Sequence, residues 1–247
     1  MFTPRVALAS LSGESDADWA IQGSEHVGAA FLGGVALDEK TRAAARALVS
    51  RDRSEFLPDD PVAFVDDQLT SVADVSIRPG INVRSATLPP IRSVSEVCRA
   101  HDAILEINAH CRQEEMCSAG AGQFLLSHPD RLCEQVRMAT KTGATVGVKL
   151  RTEVPSVDLP NVSRRVADAG AEVLHVDAMD SEHVIADIAE TTDCFLIANN
   201  GVRDEETVRE YLEYGADAVS VGRPSDRPAV LSRVASATDE WFAEVVA

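Results

Sequence analysis

The 247 residues carry a formal net charge of −17, from 40 acidic side chains against 23 basic ones, and 45% of them are hydrophobic. This composition supplies one sizeable core, contains no apolar run near the ~18 residues of a membrane span, and disfavours bare polyanions in dilute buffer. The only lysines are Lys40, Lys141 and Lys149; scarce lysine with abundant carboxylate suits molar salt, where self-repulsion is screened, so a halophilic, cytoplasmic protein is expected, the apolar part of Met1–Ser10 being too brief for a secretory leader.

Short runs rich in Val, Ile and Leu alternate with amphipathic stretches along the whole chain. Strands are expected at Val6–Ala9, Ala29–Leu32, Ile81–Arg84, Ile104–Asn108, Thr145–Leu150, Val173–Val176, Cys194–Ala198 and Ala218–Val221. Their apolar character fits strands buried on both faces. Helices are expected at Asp16–Glu25, Glu39–Val49, Pro61–Asp74, Val94–His101, Pro129–Thr142, Val162–Ala169, Glu182–Glu190 and Glu205–Tyr214, with a last one from Pro228 onward. Gly143, Gly170 and Gly215 fall just past helix ends, where a left-handed cap is needed. Asp204 precedes a helix with Glu205 and Glu206 in its first turn, favourable to the helix dipole. The stretch from Phe56 to Gly80 gives the least definite boundaries.

Eight such units at a length near ~250 residues, with no linker or low-complexity tract between them, predict one domain over residues 1–247. The dinucleotide fingerprint of an open doubly wound sheet is missing after the first strand, where Ser10-Leu11-Ser12-Gly13-Glu14 stands. The expected fold is therefore α/β, a single (βα)₈ TIM barrel.

In such barrels the C-terminal strand ends and the loops after them carry function. Strand seven runs into Asn199-Asn200-Gly201, and strand eight into Gly222-Arg223-Pro224. Glycine lets backbone N–H groups approach an anion and arginine adds a charged donor, so a phosphate site is expected at Asn200, Gly201, Gly222 and Arg223. Lys149 follows an alternating apolar run at the end of strand five and is expected to point into the barrel mouth. His175 interrupts an apolar strand and can face the mouth or the helices. Asn108, ending strand four, offers donor and acceptor to an amide-like substrate edge. Cys111 lies in the following loop, where a thiol can donate a proton around neutrality.

The five cysteines are Cys98, Cys111, Cys117, Cys133 and Cys194, an odd number at irregular spacing, which favours reduced thiols. Cys98, His101, His110, Cys111 and Cys117 match no common zinc spacing, and no metal is expected.

Glu106 to Arg151 resembles the flavin-dependent tRNA-dihydrouridine synthases and their archaeal barrel relatives. It is similar to their Asn-x-Gly-Cys-Pro loop, a glycine segment, a Leu-Leu…Pro stretch (Leu125, Leu126, Pro129) and a Val-Lys-Ile/Leu-Arg strand, in that order. His175, Asn200-Gly201 and Gly222-Arg223 follow in the family's order. The resemblance implies FMN across the mouth, contacted by Lys149 and His175, with its phosphate at the two glycine loops. It implies hydride transfer from reduced FMN to C6 of a uracil-type ring, with Cys111 protonating C5 and Asn108 contacting the ring. NADPH is the candidate electron donor, and a uracil-containing molecule, with tRNA among the candidates, the substrate.

The sequence departs from that pattern at several points. His110 and Arg112 replace the flanking glycine and proline, and Asp177 stands where an arginine is usual. Arg84 replaces a flavin-binding glutamine, and Ser10-Leu11 replaces Pro-Met. The family's helical tRNA-binding domain follows the barrel, whereas this sequence ends within one helix of strand eight, so the resemblance carries flavin binding further than tRNA. The alternatives are a small-molecule dihydropyrimidine or dihydroorotate oxidoreductase and a barrel that binds a phosphate ligand without redox chemistry. Cys117, in the same loop, is the rival to Cys111.

Overall fold

The structure is a computed structural model that describes residues 1–246. Eight strands close into a barrel in chain order, with every neighbouring pair parallel. They are β1 (Val6–Leu8), β2 (Ala29–Ala36), β3 (Arg78–Arg84), β4 (Ile104–Asn108), β5 (Thr145–Arg151), β6 (Val173–Asp177), β7 (Phe195–Asn199) and β8 (Ala218–Val221). The helices are α1 (Ala17–Gly23), α2 (Glu39–Val49), α3 (Pro61–Ser71), α4 (Leu88–Ala100), α5 (Glu114–Ser118), α6 (Pro129–Thr140), α7 (Leu159–Asp168), α8 (Val184–Ala189), α9 (Glu205–Glu213) and α10 (Pro228–Val246). The expected barrel and all eight strands are present. Among the described residues no helix is long and apolar enough to cross a membrane.

Local chemistry sets the boundaries. Asp38 and Asp204 each build a capping box, with Thr41 and Thr207 respectively, so the first N–H groups of α2 and α9 are satisfied at once. The glycines past α6, α7 and α9 adopt the expected positive φ, 80°, 108° and 92°. Two helices begin earlier than their apolar periodicity indicates. In α4 the pair Pro89-Pro90 lies in the first turn, and in α7 Pro160 does, where a missing N–H costs nothing. In the indefinite stretch before β3, Asp60 caps α3 and Pro61 starts it. β2 runs past Leu32 to Ala36 through an irregularity between Gly33 and Val35.

Outside the strands, one continuous apolar layer joins them to the helices, including Leu8, Leu32, Val83, Leu105, Val148, Leu174, Val176 and Val219, with α4, α6 and α7 contributing Ile91, Leu132 and Val166. Each fully buried side chain of this kind stabilises by about 1.5–3 kcal/mol. Inside the barrel the chemistry changes along the axis. The N-terminal end is closed by Phe2, Ala7, Ala29, Phe31, Ile104, Val173, Ile197 and Ala218. Two residues further along the alternating pattern stand buried Asn82, Glu106, His175, Asn199 and Ser220, and two further again Arg84, Asn108, Lys149 and Asp177. Several strands therefore run further than their apolar runs: Arg151, Asp177 and Asn199 are still paired in the sheet because the upper lumen is polar.

Candidate active site

Two adjoining cavities open at the C-terminal strand ends. One, of about 440 Å³, is lined by Ser10, Leu11, His110, Lys149, Asp177, Asn199 to Arg203, Ser220 and Gly222 to Pro224. The other, of about 320 Å³, is lined by Ser12, Arg53, Glu55, Asn82, Asn108, Cys111 to Gln113, Arg151 and Met179. Ser10, His110, Lys149, Asp177, Asn200 and Arg223 border both. Of the residues singled out from sequence, Lys149, Asn200, Gly201, Gly222 and Arg223 meet on the first cavity, and Asn108, Cys111 and Lys149 on the second.

Lys149 is 3% exposed, and its ammonium takes part in no hydrogen bond or ion pair among the described residues. Burial pulls its ammonium below the usual lysine range, against the attraction of Glu106 and Asp177. A buried, unpartnered cation beside a cavity is costly, and an electron-rich ligand group would offset that cost. Asn200 and Gly201 both have positive φ, 97° and 69°. Asn200 is held in place by donating to Asp177 Oδ1 at 2.7 Å and by accepting from the Tyr211 hydroxyl at 2.9 Å. At Gly222 a Cβ would meet nothing within 4 Å, so the protein's own packing gives no reason for glycine there. The open space lies where Arg223 borders the cavity.

The loop after β4 is built around Asn108. Its Oδ1 accepts from the N–H groups of His110 at 3.1 Å and Cys111 at 2.8 Å, and its Nδ2 donates to Asn82 Oδ1 at 2.9 Å. The amide expected to meet a substrate ring is thus largely committed to shaping the cysteine loop, with one Nδ2 hydrogen left over. The Cys111 carbonyl accepts from Gln123 N–H at 2.9 Å. Gly122 is required for that approach, because a Cβ there would collide with the same carbonyl. Cys117 packs beneath, its Sγ donating to Cys111 O at 3.6 Å, and burial pushes its thiol up. Cys111 lines the cavity and Cys117 does not.

His175 corrects an expectation. It is fully enclosed and borders neither cavity. Its Nδ1 lies 2.7 Å from Glu106 Oε2 and its Nε2 2.8 Å from Ser220 Oγ. Both ring nitrogens are taken, so it supports the site from within and does not touch a ligand at the mouth. Glu106 Oε1 accepts from Asn82 Nδ2 at 2.6 Å. A chain of hydrogen bonds thus runs from Ser220 through His175, Glu106, Asn82 and Asn108 to the Cys111 N–H. Burial opposes ionisation of Glu106, but the attraction and hydrogen bond of His175, with Lys149 and Asn82, outweigh it and hold the carboxyl below its usual range. Burial likewise depresses His175, keeping it neutral.

Arg84, at the position of the expected flavin-binding glutamine, is 1% exposed and pairs with Glu55 at 2.6 Å, with a further hydrogen bond to Ser12. It clasps two loops to the end of β3 and borders neither cavity. His110 Nε2 lies 2.5 Å from Asp177 Oδ2. Neither this pair nor the partners Asn82, Glu106 and Ser220 were identified from sequence. The available signal was spacing: Asn82 and Arg84, then Glu106 and Asn108, are polar residues two apart in otherwise apolar strands, hence on one face. Among the described residues no three His, Cys, Asp or Glu side chains converge as a metal site. Cys98 is buried in α4, and His101 bonds Asp66 at 2.7 Å.

The chain is 28% identical over 231 residues to an uncharacterized protein of Methanocaldococcus jannaschii, covering 89% of this chain and 88% of that one. Among solved structures it resembles a FabK variant from Thermotoga maritima, with a TM-score of 0.59 at 14% identity, spanning 90% of this chain but only 62% of the FabK chain. It also resembles a thiamine phosphate pyrophosphorylase from Pyrococcus furiosus (TM-score 0.57, 10% identity, 96% of each chain). A 3-hexulose-6-phosphate synthase from Salmonella typhimurium is similar too (TM-score 0.57, 14% identity, 96% of this chain and 99% of that one). At such identities these structures speak to the barrel fold alone. The dihydrouridine synthase (Dus) family matches residues 93–245, which include the cysteine loop, Lys149 and both glycine loops. The chain belongs to the dihydrouridine synthase family.

Proposed function

We propose that the protein is a flavin-dependent oxidoreductase that holds FMN across the barrel mouth and acts on the C5–C6 bond of a uracil-type ring. The observation that carries this reading is the convergence of Cys111, Lys149 and the two glycine loops, distant in sequence, on adjoining cavities. Family membership supports an oxidoreductase with a flavin cofactor. The residues fit such a group: open space at Gly222 and the guanidinium groups of Arg203 and Arg223 suit a phosphate, and buried Lys149 suits the electron-rich part of a ring.

When bound, the flavin supplies hydride transfer to one carbon of the substrate double bond. Cys111 supplies the proton for the other. Its backbone is fixed on both sides, by Asn108 Oδ1 and by Gln123 N–H, so the thiol is held over the cavity without a flexible search. Asn108 is the positioning residue of that loop. His175 and Glu106 act one step deeper, by fixing the Asn82–Asn108 pair.

Purification followed by an absorption spectrum and mass analysis of the released ligand tests the proposal. A yellow protein that releases FMN, and that reduces uridine or uridine-containing RNA with NADPH, is expected. A colourless protein that releases another phosphate ester would replace this reading with that of a non-redox ligand barrel. Turnover of free dihydropyrimidines but not of uridine in RNA would move it to the small-molecule oxidoreductases.

A further inference from the structure

The paired side chains His110 and Asp177 have no role in the mechanism above, yet they stand between the two cavities. The pair is rigid. Asp177 Oδ2 is 2.5 Å from His110 Nε2, while Oδ1 accepts from Asn200 Nδ2 at 2.7 Å and from Met179 N–H at 3.3 Å. The backbone of His110 is fixed by its bond to Asn108. Burial opposes ionisation of Asp177, but the hydrogen bond and charge of His110, with Asn200 and Met179, hold its carboxyl well below the usual range. The carboxylate accepts, so the imidazole proton resides on Nε2. Burial depresses His110 despite Asp177, with Lys149 and Arg151 acting in the same direction as burial. In the neutral ring, which burial favours, the lone pair falls on Nδ1.

That nitrogen has no partner among the described residues, and the His110 side chain is 29% exposed at the mouth. The charged groups acting on the ring are Asp177 from β6 and Lys149 and Arg151 from β5, and Arg53, Glu55, Arg112, Arg203 and Arg223 line the cavities it borders. The cations among them are donors only. His110 Nδ1 is an acceptor set among donors.

We propose that His110 is a specificity-determining residue, its Nδ1 accepting the ring N–H of an imide edge flanked by two carbonyls. This rests on the uracil-ring reading and narrows it. Donors on either side of an acceptor complement a carbonyl–NH–carbonyl edge. A cytosine ring of equal size presents a lone pair at the same position and would leave two acceptors face to face, a mismatch of about tenfold in affinity.

Calorimetric titration of the purified protein with uridine and with cytidine at pH 7.5 tests the assignment. The wild type is expected to prefer uridine by about tenfold. In Asp177→Asn the amide N–H donates to Nε2 and moves the imidazole proton to Nδ1 without changing the cavity's size, so the preference shifts toward cytidine. In His110→Phe it disappears. Lowering the pH through the depressed value of His110 moves the wild type in the direction of Asp177→Asn and leaves His110→Phe flat. A uridine preference unchanged in His110→Phe, or no binding of either nucleoside by the wild type, overturns the proposal. Spectra of the same preparations separate it from the flavin reading. A colourless protein that still discriminates the nucleosides through His110 keeps this inference and loses the flavin. A yellow protein without nucleoside preference does the reverse.

Discussion

Glu106 Oε2 and His175 Nδ1 meet 2.7 Å apart inside the barrel, with both side chains fully shielded from solvent. One comes from β4 and the other from β6, so the bond spans the lumen over the apolar floor. Removing one member of such a pair leaves the other buried without its partner. Glu106→Ala is expected to destabilise the fold by about 1–3 kcal/mol. Glu106→Gln, which can still accept from Asn82 and donate to a re-tautomerised His175, is expected to cost far less. Denaturant unfolding of both variants checks this, and equal losses would show that shape, not pairing, matters there.

The same pair sets an acid limit. Glu106 is depressed in the fold, so its stabilisation is present above the ordinary carboxylate range and is lost as pH falls through the lowered value. His175 is depressed too, so the unfolded chain takes up its proton first and stability falls with acidification from about the ordinary value of 6.5. Both contributions have the same sign. Thermal midpoints between pH 7.5 and 5 are expected to fall less steeply in His175→Gln than in the wild type.

Cys111→Ala is expected to leave the cofactor bound and reducible while turnover falls by ~10²–10⁴, the usual loss of a general acid. Cys117→Ala is expected to keep turnover and to lose some stability, since Cys117 packs under the Cys111 carbonyl. Single-turnover reduction by NADPH, followed by product assay with uridine and RNA, separates the two. Turnover lost only in the Cys117 variant would mean that the other thiol is the acid.

Gly222→Ala and Arg223→Ala address the phosphate cradle. Neither position is packed: nothing lies within 4 Å of a Cβ at Gly222, and Arg223 is exposed. Both variants are expected to keep their stability within about 1 kcal/mol of the wild type. Both are expected to retain less FMN, which fluorescence of the released flavin after gel filtration measures. Unchanged retention in both would remove the phosphate from these loops.

The charge of −17 leads to a further expectation. Crowded carboxylates repel one another when unscreened, so the thermal midpoint should rise between dilute buffer and molar KCl. Equal midpoints would remove the halophilic reading.

The barrel was legible in the sequence because its outer apolar layer imposes the alternation of strands and helices. The strand ends were less so. Asp177 and Asn199 look like loop residues in sequence, yet they belong to the sheet because the upper lumen is polar. The cysteine loop, Lys149 and the glycine loops could be found by their residue types at strand ends. The partnership of Arg84 with Glu55, or of His110 with Asp177, could not, since each joins segments whose approach depends on closure of the barrel. His175 was misplaced for a related reason: its position on β6 is clear, but its depth depends on what Glu106 and Ser220 bring to meet it.

The graded lumen has a consequence for how the protein lives without its ligand. Its floor is sealed by hydrocarbon, and most polar groups in the middle tier are already paired with one another. The walls are thus held by their own packing and hydrogen bonds. In the tier above them Lys149 is a buried cation whose ammonium has no hydrogen-bond partner among the described residues. Loading the site would therefore change the electrostatic condition of one residue more than the shape of the vessel.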